Sequence, residues 1–270
     1  MPPLASIDIG SNTLRLLVGM IEGQKIVRMR CEMVITRLAA GIGETGLLNA
    51  DNMEKSVSVL KAFSDIISAY GISHIRAVGT SALREAKNSG EFLRRALSET
   101  GINIEVISGE EEAELTARGV IFDMPETDSS FIIDIGGGSA EWILCRNSSP
   151  VGMGTIPTGV VKLLDNHIKS DPPSKAAITS LKKESDTVLS GLKTKIGHLI
   201  NSSTVFIGTA GTITTLASID IGLESYGHEK IHRHNISLKK ICDISGRLIS
   251  IPLSERKKMI GLEPERADLI

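Results

Sequence analysis

Two hydrophobic periods divide this chain. Met53, Val57, Leu60, Phe63 and Ile67 recur at three- and four-residue steps over 51–70. That spacing predicts an amphipathic helix closed by Gly71. Ile102, Ile104 and Val106 alternate with polar residues, as a strand does. Between them, 74–78 reads as a short strand running into Gly79-Thr80-Ser81, and Ser89 caps a helix through Leu97. Residues 7–19 read as strand, glycine turn, strand. Ser108-Gly109-Glu110-Glu111 opens a helix that runs to Val120, with Ser108 as N-cap and Glu111 at the capping-box position. After a linker at 125–130 the pattern restarts. The apolar run 131–135 enters Gly136-Gly137-Gly138-Ser139, and a second strand follows at 142–145. Leu181, Val188, Leu192, Ile196 and Leu199 mark one face of a long helix. Residues 204–207 read as a strand, 208–211 as a turn into another helix, and Leu238, Ile241, Ile244 and Leu248 as one more. Strands and helices alternate throughout, so the class is α/β, with domains at 1–124 and 125–270.

The restart carries a repeat. Ile7-Asp8-Ile9-Gly10 and Ile133-Asp134-Ile135-Gly136 share their residues and their hairpin context, so each half opens with strand, Asp, glycine turn and strand. Composition then narrows the function. The 270 residues are 41% hydrophobic and 23% charged, which excludes disordered and fibrous classes. Aromatic residues are 3%, too few for a platform of stacked bases, so no nucleic-acid partner is expected. Net charge is −2, so bulk attraction will not gather a polyanion and any anion site must be local. Cys31, Cys145 and Cys242 are far apart and lack CxxC spacing, which reads as reduced thiols. No signal segment and no apolar run of about 18 residues is present, so a cytoplasmic protein without a membrane partner is expected.

Glycine-rich hairpin tips expose backbone N–H groups and let an anion approach them. Gly136, Gly137 and Gly138 carry no side chain to block a phosphate, and Ser11, Asn12, Thr13 and Ser139 add donors. Asp8 and Asp134, just before the tips, suit a hydrated Mg²⁺ or Mn²⁺. One such turn is equally explained by turn geometry; two matching turns favour phosphate binding. Gly211 and Thr212 belong to a third glycine turn at a helix start, which reads either as an anion site or as a plain helix cap. No turn matches the Rossmann or P-loop pattern. Arg84 reads as a phosphate fork or as a salt-bridge partner of a nearby Glu. Glu110, Glu111 and Glu112 complement the helix macrodipole, and spacing alone does not separate Glu112 from its neighbours. Glu141 leaves the second turn beside the phosphate position. His228, His232 and His234 lie with Lys230 and Arg233 in what reads as a solvated or basic loop rather than a metal site.

In order along nearly the whole chain, these motifs resemble the exopolyphosphatase/guanosine pentaphosphate phosphohydrolase (Ppx/GppA) family. They are 7–12 with Arg15-Leu16, 36–38, 80–86 with Asn88, 108–113, 134–141, Gly159 with Lys162-Leu163, 208–216, and 261–262 with 266–268. The resemblance implies two RNase H-like domains of the actin-like ATPase (sugar kinase/Hsp70/actin) fold facing across a cleft. It implies Mg²⁺-dependent release of the terminal phosphate of polyphosphate, of guanosine pentaphosphate, or of both. Glu112 corresponds to the family's catalytic Glu, Glu141 to its partner carboxylate, and Asp8 and Asp134 to the metal-organising pair. A non-catalytic sensor of polyphosphate or guanosine tetraphosphate is the rival of a different class, and a homodimer is left open. Ala39-Ala40-Gly41 replaces the family's Gly-Glu-Gly, and Lys162 stands where the family tends to have Arg. The chain resembles the short two-domain form of the family, and a last helical segment that the family continues is expected to be missing after Ile270.

Overall fold

The computed structural model describes every residue except Met1, Gln24 and Tyr226, and of Asp123 only the backbone. The chain forms two compact units, Met1–Glu112 and Ala113–Ile270. In the first, the elements in order are β1 (Leu4–Ile9), β2 (Thr13–Glu22), β3 (Lys25–Ile35), α1 (Ile42–Thr45), α2 (Ala50–Ala69), β4 (Ile75–Gly79), α3 (Ser81–Glu85), α4 (Ser89–Thr100) and β5 (Ile104–Val106). The helix α5 (Gly109–Asp123) follows. The second unit continues with β6 (Ser129–Ile135), β7 (Ala140–Arg146), β8 (Ser149–Ile156), α6 (Val160–His167), α7 (Lys175–Ile196), β9 (Val205–Thr209), α8 (Ala210–Ile221), α9 (His228–Ile231), α10 (Leu238–Ser250) and α11 (Leu253–Arg256).

Each unit is built on one mixed sheet. The first has strand order β3-β2-β1-β4-β5, with β1, β2 and β3 antiparallel and β4 and β5 parallel to β1. The second has the order β8-β7-β6-β9, with the same hairpins and the same parallel step. These are the RNase H-like sheets that the resemblance implies, and the chain is α/β.

Alternation buries one face of β1 and β2 through Ala5, Ile7, Ile9, Leu14, Leu16 and Val18. The stripe Met53, Val57, Leu60, Phe63 and Ile67 of α2 joins them in one core. At α2's start the Asn49 side chain accepts from the N–H of Asp51 and Asn52. At its end Gly71, at φ 63°, takes the left-handed conformation that reverses the chain cheaply. Removing the fully buried Phe63 side chain would cost about 3–5 kcal/mol.

Several boundaries differ from expectation. Ser89 is the first residue of α4 and Asn88 its N-cap; the Asn88 amide is instead paired with both backbone groups of Leu48. Ser108 does cap α5, accepting from the Glu111 N–H at 3.1 Å, but Glu111 turns its carboxylate to Arg76 rather than closing the capping box. The division of the chain falls inside α5, ahead of 125–130, because Ala113 and Ala117 pack against Ile132, Ile143 and Cys145 of the second sheet. Leu199 lies in a 3₁₀ turn after α7, and Leu238, at the start of α10, is 75% exposed. The outer strands β3 and β8 add to the predicted set. Among the described residues no helix is long and apolar enough to cross a membrane.

Candidate active site

The two hairpins superpose in their bonding as well as their sequence. Gly10 N–H donates to the Thr13 carbonyl at 3.1 Å, and Gly136 N–H donates to the Ser139 carbonyl at 3.0 Å. A Cβ on Gly136 would lie 2.9 Å from that Ser139 oxygen, too close for a side chain, and one on Gly10 would lie 3.0 Å from that of Thr13, where the turn would have to give. The tips are then gripped by their carbonyls. Ala39 N–H holds the Ser11 carbonyl, and Thr36 and Arg37 hold that of Asn12. In the second unit Val160 and Val161, at the start of α6, hold the carbonyls of Gly136 and Gly137. With the carbonyls occupied, the amide N–H groups are the available faces of each tip. Among the described residues no acceptor takes the backbone N–H of Ser11, Asn12, Gly137 or Gly138.

The three residues expected to donate from the first turn, Ser11, Asn12 and Thr13, are all buried, in different states. Ser11 is buried with its hydroxyl 3.0 Å from that of Ser81, which ties the turn to the start of α3. Thr13 is buried at the head of β2. Asn12 is 8% exposed, and neither its Oδ1 nor its Nδ2 has a partner among the described residues. A buried amide left so costs about 1–3 kcal/mol, which a ligand on the turn would recover.

Asp8 and Asp134 occupy the same register position but have opposite neighbours. Asp8 lies across from Arg15 on β2, whereas Asp134 lies across from Glu141 on β7. Burial pushes the Asp8 carboxyl above the ordinary carboxylate range, and the Arg15 charge offsets this only in part. Asp134 also accepts from the Thr116 hydroxyl at 3.4 Å. Glu141 is 1% exposed, and its other cross-strand neighbour is Thr155. Two carboxylates directly opposite on one face repel unless a proton or a cation offsets them.

That donor set fits a hard divalent cation. It is all oxygen, and among the described residues no three His, Cys, Asp or Glu groups cluster closely enough to enclose an ion alone. Mg²⁺ keeps several waters and takes one or two carboxylates together with substrate phosphates, which matches such a sparse set.

Arg84 and Glu112 come together within the first unit. Arg84 Nη1 donates to Glu112 Oε2 at 2.8 Å and to the Ile107 carbonyl at 2.9 Å, with both side chains about one-fifth exposed. Of the three consecutive glutamates, Glu110 is exposed and Glu111 is paired with Arg76, so Glu112 alone stands beside the α3 turn. Of the two readings of Arg84, this is the salt bridge to a nearby Glu.

The third turn is more structural than the sequence indicates. Thr212 donates its hydroxyl to the Ile135 carbonyl at 3.2 Å and so secures the end of β6. Gly211 is covered by the Arg266 guanidinium, which sits where a Cβ would be. Arg266 is 7% exposed and is anchored to Glu263 at 2.8 Å. This puts a buried cation at the α8 N-terminus that sequence reasoning assigned to no site. The signal that could have found it is Arg266 as the single basic residue of a closing segment that carries Glu263, Glu265 and Asp268.

A family model described as the Ppx/GppA phosphatase family matches residues 17–270. The bifunctional 3-dehydroquinate synthase/phosphatase of Fusobacterium nucleatum is 30% identical over 275 residues, 98% of this chain and 41% of that protein. The chain thus spans well under half the length of that relative. Exopolyphosphatase 2 of Mycobacterium tuberculosis is 27% identical over 279 residues, 99% of this chain and 86% of its own. Among solved structures, an exopolyphosphatase from Cytophaga hutchinsonii matches with TM-score 0.90 and 30% identity, covering 99% of this chain and 86% of that one. The PPX-GPPA enzyme of Aquifex aeolicus matches with TM-score 0.79 and 30% identity, covering 99% and 87%.

Proposed function

The chain belongs to the Ppx/GppA phosphatase family, and from that premise we propose that it hydrolyses the terminal phosphate of inorganic polyphosphate in the cytoplasm. The observation that carries the reading is Asn12: a buried, unpartnered amide on a turn whose backbone N–H groups also lack acceptors. Such a turn is built for an anion with several oxygens, and the equivalent Gly136–Ser139 turn repeats the device. The name of the M. tuberculosis relative points the same way.

The residues divide the work. The N–H groups at Ser11-Asn12 and Gly137-Gly138 bind phosphoryl oxygens, and the Asn12 amide adds a donor. Thr13 and Ser139 hold the tips in shape through the carbonyls that Gly10 and Gly136 bond. Arg84 fixes the Glu112 carboxylate by Oε2, and Glu112 takes the proton of the attacking water. Asp134 with Glu141 in the second unit, and Asp8 in the first, are the residues that would hold Mg²⁺ or Mn²⁺, which when bound supplies neutralisation of the phosphoryl charge. Positioned charge of this kind is most of what phosphoryl transfer requires.

Glu112→Gln tests the assignment. Gln keeps the shape and one acceptor but cannot take the proton, and a positioned base contributes about 10²–10⁴-fold. Turnover should fall by that factor while equilibrium binding of polyphosphate is kept. Equal turnover in both proteins would move the base elsewhere, to Glu141 first. A parallel loss of binding would mean that Glu112 organises the turn instead.

A further inference from the structure

We propose that Thr155, on β8, is a positioning residue whose hydroxyl orients the Glu141 carboxylate for the cation that Asp134 and Glu141 would hold. The inference rests on that reading of the two carboxylates and adds a residue to it. On the face of the second sheet that α5 covers, Ile207, Ile132, Ile143 and Met153 stand side by side on the four strands. They pack against Ala113 and Ala117. Residues two apart share a face, so the next row towards the glycine turn is Thr209, Asp134, Glu141 and Thr155. Each strand contributes one oxygen-bearing side chain to it. The equivalent row of the first sheet is Val78, Asp8, Arg15 and Met33, so the fold itself does not require oxygen at the outer places.

Two of the hydroxyls in and around this row have a visible place. Thr116, on α5, donates to Asp134 at 3.4 Å, and Thr209 stands at the N-cap position of α8. Thr155 differs: its hydroxyl oxygen is buried and has no hydrogen-bond partner among the described residues. Threonine suits a strand, but valine suits it equally and buries no hydroxyl. A buried polar group left so calls for a reason, and the carboxylate directly across the strand pair supplies one. The register shift between β7 and β8 falls at Leu144 and Cys145, so Glu141 and Thr155 remain directly opposed. Opposed side chains on one face lie within reach of a hydrogen bond or of one bridging water. An O–H given to Glu141 favours its ionised form and fixes the direction it faces. Thr116 does the same for Asp134, so the two threonines bracket the carboxylate pair from α5 and from β8.

Two variants test this. Thr155→Val keeps the shape and deletes the hydroxyl, whereas Thr155→Ser keeps the hydroxyl. Three quantities are read: Mn²⁺ binding by titration calorimetry, polyphosphate turnover over a range of Mg²⁺ concentrations, and melting temperature in metal-free buffer. In Thr155→Val the Mn²⁺ affinity should fall about 10–100-fold, as when a metal-holding carboxylate loses the group that orients it, and turnover should fall with it. Its melting temperature should equal or exceed the parent's, because an unpartnered hydroxyl has gone. Thr155→Ser should keep the parent's affinity and turnover. Parental Mn²⁺ affinity in Thr155→Val, with or without a lower melting temperature, would make Thr155 a packing residue and overturn the proposal alone. So would a Thr155→Ser protein as impaired as Thr155→Val. A parent that binds no Mn²⁺ would instead overturn the reading of Asp134 and Glu141, and this proposal with it.

Discussion

Asp8 shows how burial of a single residue sets a pH dependence of stability in this protein. Burial raises its carboxyl above the ordinary range, so the folded state resists its ionisation. The unfolded chain loses that proton near pH 4, at about the reference value. Above that point the folded state binds more protons than the unfolded, and stability falls as pH rises towards the folded value. Asp8→Asn removes this cost. In metal-free buffer at pH 7 it should melt higher than the parent, and its divalent-cation-dependent turnover should be strongly reduced. Calorimetry beside a phosphate-release assay checks both; a lower melting temperature would mean that the Arg15 pairing outweighs burial. Neighbouring charges do not share this importance. Glu111 meets Arg76 at an exposed site, where a salt bridge contributes about 0–1 kcal/mol, so Glu111→Gln should leave turnover unchanged.

At the scale of elements, the second turn depends on a glycine outside it. A Cβ on Gly159 would lie 2.4 Å from the Gly137 carbonyl oxygen and 2.6 Å from that of Gly136. Those are the oxygens that the start of α6 grips, so Gly159→Ala must push the turn away from its anchor. We expect a loss of about 1–3 kcal/mol in stability, as overpacking gives, and at least tenfold weaker polyphosphate binding. Gly191, inside α7, has open space at its Cβ, and Gly191→Ala should instead stabilise by about 0.4–1 kcal/mol. Thermal melts of the two variants decide whether the grip on the turn is real.

The elements also show what could be read in advance. The α2 stripe, the Ser108 cap and both Asp hairpins were legible because each is a local pattern, a period or a turn chemistry within a dozen residues. β3 and β8 were not, because outer strands bury little and so lack clean alternation: residues 25–31 are all exposed. Ser89 misled because its neighbour Asn88 occupies the cap position and spends its amide on Leu48, which is far along the chain. The same holds for the site. The pairing of Arg84 with Glu112 spans 28 positions and that of Arg266 with Gly211 spans more, and no local rule encodes either.

At the scale of the molecule, the two units are a repeat with one decisive asymmetry. Where the first sets Asp8 against the cation Arg15, the second sets Asp134 against a second carboxylate, Glu141. The first unit sets a cation against its aspartate, which offsets burial only in part; the second sets carboxylate against carboxylate. Divalent cation should therefore act mainly through the second unit. Asp134→Asn should abolish activity at any Mg²⁺ concentration, whereas Asp8→Asn should be partly restored by raising it. Full activity of either protein in excess chelator would contradict this division of labour.

The most direct measurement is orthophosphate release from a panel of long polyphosphate, short polyphosphate, guanosine pentaphosphate and ATP, each with Mg²⁺ and with chelator. The prediction is release from polyphosphate that requires Mg²⁺ and shortens the chain from its ends. Binding of polyphosphate with no orthophosphate released, or release from guanosine pentaphosphate or ATP alone, would contradict it.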